Sequence, residues 1–190
     1  MSALRFGVAR LVRAVLGGGA WLASGWRRTV TRFAYPGVRF GKGGTLHSGV
    51  KIRCYDGGQV FVGDRVSVLP GTIIDAKGAI VRIGDGCIVG LSCYIVGCAG
   101  IDIGANTLIA EHATIRDQDH VFDDPGIPVE EQGRTSAPVS IGENCWIGAK
   151  VTITRGVTVP DGSVIGANSV VTRSLHGGRV YAGAPAKMLR

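Results

Sequence analysis

Aliphatic residues recur every six positions along most of this chain, and this period constrains the fold more than any other feature. A Gly or Ala follows many of these residues, and a second small residue comes four places after them. A large inward side chain, a corner residue with permissive dihedrals and a small inward residue describe one flat side of a narrow solenoid. Three such sides predict an all-β chain wound into parallel coils of about eighteen residues. The four phased blocks run over Val62–Ile80, Ile83–Ile101, Ile103–Ile115 and Ile141–Val171.

The five cysteines fit this solenoid better than a disulfide or metal framework. An odd number without a CxxC pair argues against both a disulfide framework and a zinc site. Cys87, Cys93 and Cys145 fall in the small inward position of the repeat, where a free cysteine packs as a small hydrophobic residue. Cys54 and Cys98 fall outside that position, and the pattern predicts no role for them.

The repeat is interrupted once, after Ile115, and resumes at Val139 or Ile141. The intervening residues are rich in acids, Pro and Gly, which predicts a loop extruded from the coil near 118–138. Long loops inside compact domains are often functional. Its first residues, IRDQDHVF, bring Asp117, Asp119 and His120 close together where the rigid coil ends.

The N-terminal residues 1–35 form a second segment outside the repeat, and 36–190 form the solenoid domain. Six arginines and no acidic residue precede residue 36, so the net charge of +7 leaves the rest of the chain near +1. We therefore expect no nucleic-acid partner. Leu4, Val8, Leu11, Val12 and Val15 have helical spacing, which predicts a basic amphipathic helix.

Two compatible hypotheses explain this segment. The helix caps the open end of the solenoid, whose edge is otherwise unpaired. It also rests on an anionic membrane leaflet, as a peripheral contact through residues 1–35 on the inner membrane face. The uncharged run between Arg13 and Arg27 is too short and too rich in Gly to span a bilayer. No convincing signal peptide is present, so we expect a cytoplasmic protein.

Residues 36–190 resemble the hexapeptide-repeat acyltransferases, most closely the sugar and polysaccharide O-acetyltransferase branch related to the maltose and galactoside acetyltransferases. The most specific match is PVSIGENCWIGAKVTITRGVTVPDGSVIGANSVVTRSLHGGRVYAGAPAKMLR, residues 138–190. The resemblance implies a left-handed parallel β-helix, a homotrimer with active sites between subunits, acetyl-CoA as cosubstrate and a sugar or glycan hydroxyl as acceptor. It implies no metal.

The resemblance also implies roles for single residues. His120 corresponds to the catalytic base, which takes the acceptor proton as the hydroxyl attacks the thioester in a ternary complex. Asp117 or Asp119 would support its imidazole, and the sequence does not choose between them. The implied acetyl-CoA contacts are Ala149, Ala167, Thr172, Arg173, Lys187 and Arg190, and the implied acceptor contacts are Ser92 and Trp146.

Two positions depart from the family pattern. Ser92 replaces an acceptor-binding Asn of the galactoside and maltose enzymes, which argues against simple galactosides or maltose as acceptors. Arg155-Gly156 replaces a Pro-Gly pair, and we expect Arg155 to contact a donor or acceptor phosphate.

The alternatives are an acetyltransferase for serine or an antibiotic, and a structural solenoid without activity. A zinc-dependent γ-type carbonic anhydrase shares the fold but needs three histidine ligands. Only His112 and His120 lie near the relevant coils, and His112 is expected at the solenoid surface.

Overall fold

The computed structural model describes residues 22–189, which form a helix over residues 22–34 and a left-handed parallel β-helix with three flat sides. Sheet 1 contains Val38–Phe40, Gln59–Val62, Ile80–Ile83, Ile101–Ile103, Val139–Ile141 and Thr158–Val159. Sheet 2 contains Thr45–Leu46, Ser67–Val68, Ile88–Val89, Leu108–Ile109, Trp146–Ile147, Val164–Ile165, Val180–Ala182 and Lys187–Met188. Sheet 3 contains Lys51–Tyr55, Ile73–Lys77, Tyr94–Gly97, Thr114–Arg116, Thr152–Ile153 and Val170–Val171.

The coils shorten along the chain, whereas the repeat predicted a constant length near eighteen residues. The difference in residue number between two paired residues of sheet 3 gives the length of one coil. It is 22, 21 and 20 residues before the extruded segment, from Ile52 with Ile74, Ile74 with Ile95 and Ile95 with Ile115. After the segment it is 18, from Ile153 with Val171. Six-residue spacing holds at the other two corners. The additional residues therefore all lie at the corner between sheets 3 and 1.

The glycines that follow the repeat aliphatics are required by close packing between coils. A Cβ at Gly104 would lie 2.5 Å from the backbone nitrogen of Glu143 in the next coil. The expected reason, a permissive dihedral, is wrong for this position, because Gly104 does not have a positive φ. Positive φ angles occur two residues later in the repeat, for example at Asn106 (57°) and His112 (59°).

The core is a single column of aliphatic side chains enclosed by the three sheets. The largest fully buried residues are isoleucines of the repeat. Cys87, Cys93 and Cys145 are buried in the same column, and burial raises the pKa of each thiol. The prediction that these three cysteines serve packing is confirmed.

The extruded segment begins as a β-hairpin. Gln118–His120 pairs antiparallel with Arg134–Ser136, and the loop between these strands covers residues 121–133. The hairpin closes where the Ala137 backbone N–H donates to the Asp117 carbonyl oxygen at 2.9 Å. The predicted excursion near 118–138 is therefore present, with an ordered base attached to the solenoid.

The helix over residues 22–34 covers the N-terminal end of the β-helix. The Leu46 N–H donates to the buried Ser24 hydroxyl at 2.8 Å, and Arg27 donates to the Leu46 carbonyl oxygen at 3.0 Å. Arg28 donates to the carbonyl oxygens of Gly41 and Gly43. These bonds satisfy edge groups that would otherwise be unpaired, so this helix is the cap that a solenoid needs.

The aliphatic stretch Leu4–Val15, predicted to form an amphipathic helix, lies outside the described residues. Within residues 22–189, no helix has the length and hydrophobicity that crossing a membrane requires.

Candidate active site

His120 lies at the base of the hairpin, where the rigid solenoid ends. It is the last residue of the strand Gln118–His120 and pairs with Arg134. Its ring is half-buried, and its Nδ1 atom is buried without a hydrogen-bond partner among residues 22–189. Buried polar atoms are usually hydrogen-bonded in native proteins, and within residues 22–189 only Nε of Arg116 shares this property.

Asp117 is completely buried and holds the preceding coil. Its carboxylate accepts hydrogen bonds from the backbone N–H groups of Cys98, Ala99 and Gly100 at 2.6–2.9 Å. The residue occupies an inward column that Ala76 and Gly97 fill in earlier coils. Both oxygens are therefore engaged by the corner that these N–H groups form.

Asp119 attaches the hairpin to the following coil. Its carboxylate accepts a hydrogen bond from Nε of Arg155 at 2.9 Å, and both side chains are partly exposed. Asp119 and His120 are successive residues of one strand, so their side chains point to opposite faces. In the single chain Arg155 pairs with Asp119, and the phosphate contact expected for Arg155 stays a prediction.

Neither aspartate is hydrogen-bonded to His120, which corrects the expectation that one of them supports the imidazole. Asp117 is committed to three backbone N–H groups, and Asp119 faces away toward Arg155. Each of them fixes one side of the hairpin base instead. The sequence brought these residues together correctly but misassigned their contacts.

Three of the predicted ligand-binding residues line one open groove. Trp146, which is 53% exposed, Ala149 and Ala167 surround a cavity of about 360 Å³ at the corner between sheets 2 and 3. Ala110 and Glu111 line the same groove and were missed. The repeat register could have found them, because Ile109 pairs with Ile147 and so places Ala110 beside Gly148.

The other predicted residues are more dispersed. Thr172 and Arg173 are exposed directly after the last strand of sheet 3, and Lys187 is exposed in the last strand of sheet 2. Ser92 is exposed at the corner between sheets 2 and 3, with a φ of 51°. Arg190 lies outside the described residues.

Within one chain, His120 and the groove occupy different corners. The groove lies where sheet 2 meets sheet 3, and His120 lies where sheet 3 turns toward sheet 1. Within the single chain, the proposed base and the groove that holds the predicted ligand contacts are therefore not adjacent. Within residues 22–189, no three His, Cys, Asp or Glu side chains are grouped as around a metal ion.

Comparison with known proteins identifies the family. The family model for the hexapeptide repeat of succinyl-transferase matches residues 80–110 and 138–173. The putative lipopolysaccharide biosynthesis O-acetyl transferase WbbJ of Escherichia coli is 31% identical over 151 residues, which cover 74% of this chain and 77% of WbbJ. The chain belongs to the hexapeptide-repeat acyltransferase family.

Other members of the hexapeptide-repeat acyltransferases are also similar. The probable acetyltransferase Rv3034c of Mycobacterium tuberculosis is 33% identical over 177 residues, 90% of this chain but 57% of that protein. Galactoside O-acetyltransferase of Escherichia coli is 35% identical over 134 residues, 68% of this chain and 62% of that protein. The chain thus spans less than two thirds of the length of both relatives.

Solved structures of acyltransferases share the fold. AntD, an N-acyltransferase from Bacillus cereus solved with dTDP and 3-hydroxybutyryl-CoA, matches with a TM-score of 0.73 at 20% identity, over 86% of this chain and 87% of AntD. The polySia-specific acetyltransferase NeuO matches with a TM-score of 0.55 at 25% identity, over 82% and 87% of the two chains. These likenesses agree with the left-handed β-helix assigned above.

Proposed function

We propose that this protein transfers an acetyl group from acetyl-CoA to a hydroxyl of a sugar or polysaccharide precursor, with His120 as general base. The observation that carries this proposal is the position of His120, on an ordered hairpin base beside a solenoid of the acyltransferase family. A scaffold that fixes the base while a loop extends over it suits a reaction that needs precise positioning.

His120 has the chemistry for this step. A sugar hydroxyl is a poor nucleophile at neutral pH, so a base must accept its proton as the oxygen attacks the thioester carbonyl. The imidazole then passes that proton to the departing coenzyme A thiolate. A free Nε2 lone pair for the acceptor hydroxyl requires that Nδ1, the buried ring nitrogen, carries the proton.

The groove at Trp146 suits the donor. Ala149 and Ala167 are small enough for the pantetheine arm to approach the backbone, and Trp146 offers a large apolar surface beside them. Arg173, Lys187 and, beyond the described residues, Arg190 are the cations we assign to the coenzyme A phosphates. Thr172 would contribute a hydroxyl next to Arg173.

A homotrimer would join the two halves of the site. In one chain His120 and the groove occupy different corners, so we propose that His120 of one protomer meets the groove of the next. Ile88 and Leu108 form an exposed apolar column with Trp146 on the outer face of sheet 2, with exposed fractions of 41–53%. Exposed apolar columns of this kind are typical of interfaces.

The acceptor proposal rests on the relatives. WbbJ is named a putative lipopolysaccharide biosynthesis O-acetyl transferase, and NeuO is titled as polySia-specific. Ser92 stands where the galactoside and maltose enzymes carry an acceptor-binding Asn, which supports an acceptor other than a simple galactoside. All five cysteines are free thiols, which fits a reducing compartment and supports a cytoplasmic location.

The decisive experiment measures thiol release from acetyl-CoA over a panel of sugars, amino sugars, nucleotide sugars and polyprenyl-linked glycans. We expect His120→Ala to lower kcat by about 10²–10⁴-fold on the productive acceptor. His176→Ala, which removes an exposed histidine with no assigned role, is the matched control and should keep full activity.

Three results would overturn parts of this proposal. Undiminished turnover by His120→Ala would remove the base. Turnover confined to amino sugars would replace the hydroxyl acceptor with an amine. An unchanged Kd for acetyl-CoA in Arg173→Ala and Lys187→Ala would remove the phosphate assignments.

A further inference from the structure

The capping helix over residues 22–34 is amphipathic in the opposite sense from an ordinary surface helix. Three of its polar side chains, those of Ser24, Arg27 and Arg28, face the protein. Ser24 is 3% exposed and accepts the Leu46 N–H, and Arg27 and Arg28 donate to backbone carbonyls of the first coil. The side of the helix that packs against the solenoid therefore needs none of its large apolar residues.

Those apolar residues form a stripe on the opposite side. Leu22, Trp26, Val30 and Phe33 are 76%, 70%, 44% and 90% exposed. Their spacings of four, four and three residues confine them to an arc of about 80° at 100° per residue. Soluble proteins rarely leave large apolar side chains contiguous on the surface unless a partner covers them.

The charge around this stripe indicates what the partner is. Among residues 1–36 there are six arginines and no acidic residue, although the rest of the chain is close to neutral. Arg32 is exposed on the helix beside the stripe. Apolar side chains that include Trp and Phe, with an exposed cation beside them and no acid in the segment, have the composition of helices that lie in the headgroup region of anionic membranes.

We propose that Leu22, Trp26, Val30 and Phe33 insert into the surface of an anionic lipid bilayer and hold the protein there as a peripheral membrane protein. The helix would lie parallel to the bilayer, with the stripe in the lipid and the solenoid behind it. Ser24, Arg27 and Arg28 anchor the helix to the first coil, so the solenoid would stand end-on against the membrane. This inference does not depend on the proposed acetyl transfer.

The first test is sedimentation of the full-length protein with vesicles. We expect binding to vesicles of equimolar phosphatidylcholine and phosphatidylglycerol, and much weaker binding to phosphatidylcholine alone or at high potassium chloride. Trp26→Ser combined with Phe33→Ser should lower the partition coefficient by about tenfold or more. Ile127→Ser combined with Val129→Ser removes two exposed apolar residues of the hairpin loop and should bind like wild type.

Fluorescence locates the helix directly. With Trp21→Phe and Trp146→Phe, Trp26 is the only remaining tryptophan of the three. We expect its emission to shift to the blue on vesicle binding and to be quenched by brominated acyl chains.

Several outcomes would overturn the inference. One is wild-type protein that stays in solution with anionic vesicles at low salt, and another is a Trp26→Ser, Phe33→Ser variant that binds as well as wild type. If the Trp26→Ser, Phe33→Ser variant binds vesicles as wild type does but elutes as a smaller oligomer, the stripe contacts a second copy of the chain instead. Equal binding to neutral and anionic vesicles would refute the role of the arginines.

Discussion

Replacement of Asp117 by Asn tests whether this aspartate builds the corner or supports the chemistry. The carboxylate accepts from three backbone N–H groups, those of Cys98, Ala99 and Gly100. Because Cys98 N–H bonds to both oxygens, an amide in either orientation points its own NH₂ at a backbone donor. At about 1–3 kcal/mol for each unsatisfied N–H, with loss of charge-assisted bonds added, Asp117→Asn should lower the free energy of unfolding by about 2–4 kcal/mol.

Thermal and urea unfolding followed by circular dichroism measures this change. For a chain of this size, that loss corresponds to a decrease in Tm of about 5–15 °C. The control is Asp119→Asn, which removes a partly exposed ion pair and should change stability by less than about 1 kcal/mol. The reasoning is refuted if Asp117→Asn unfolds like wild type, or if it abolishes turnover while its Tm stays unchanged.

Three further predictions follow from single contacts. Gly104→Ala should lower the free energy of unfolding by several kcal/mol, because its Cβ would lie 2.5 Å from the Glu143 nitrogen. Gly162→Ala is the control, since its Cβ would meet nothing within 4 Å, and its φ of +66° should cost only about 1 kcal/mol. Urea midpoints measure both changes. Arg155→Ala should reduce kcat without lowering the Tm by more than a few degrees, because it removes the ion pair with Asp119 that attaches the hairpin to the following coil. The effects of Arg155→Ala and Asp119→Asn on kcat should be non-additive in a double-mutant cycle. Burial raises the pKa of Cys87, Cys93 and Cys145 in the folded state, so the stability these thiols contribute is fully present below the unfolded-state pKa of about 8.5. It is lost as pH rises from there through the raised folded-state pKa. Urea midpoints should therefore fall above about pH 8.5, and less steeply after Cys→Ala replacement.

The fold could be predicted from the sequence because each repeat unit contains the residues that determine how it packs. An inward aliphatic residue and a small residue four places later are local features, and they reproduce the three-sided coil. Coil length was harder to predict. The extra residues lie at one corner, where Ala76 and Gly97 are inward but no aliphatic residue marks the phase.

The candidate site could be located from the sequence but not assembled. The end of the repeat correctly indicated the extruded segment, whereas the role of His120 as the base stays a proposal. The partners of Asp117 and Asp119 depend on which residues of the preceding and following coils lie beside them. The residues next to these aspartates in the sequence do not indicate that arrangement. Asp117 reaches back to residues 98–100, whereas Asp119 reaches forward to Arg155. His120 and the groove, which the resemblance assigned to a site between subunits, are separated within one chain by the width of sheet 3.

The attachments of the hairpin explain why a base could be placed at its start. Asp117 ties the first strand to the preceding coil, and Asp119 ties it to the following coil through Arg155. The tip beyond them is exposed, and its hydrogen bonds are mainly local, such as those that Gln132 makes with Asp124 and Ile127. His120 is thus on the part of the hairpin that moves with the solenoid, while the exposed loop after it can differ between conformations without displacing the imidazole. We therefore propose that the two aspartates are positioning residues, which act on His120 through the backbone of the strand they hold.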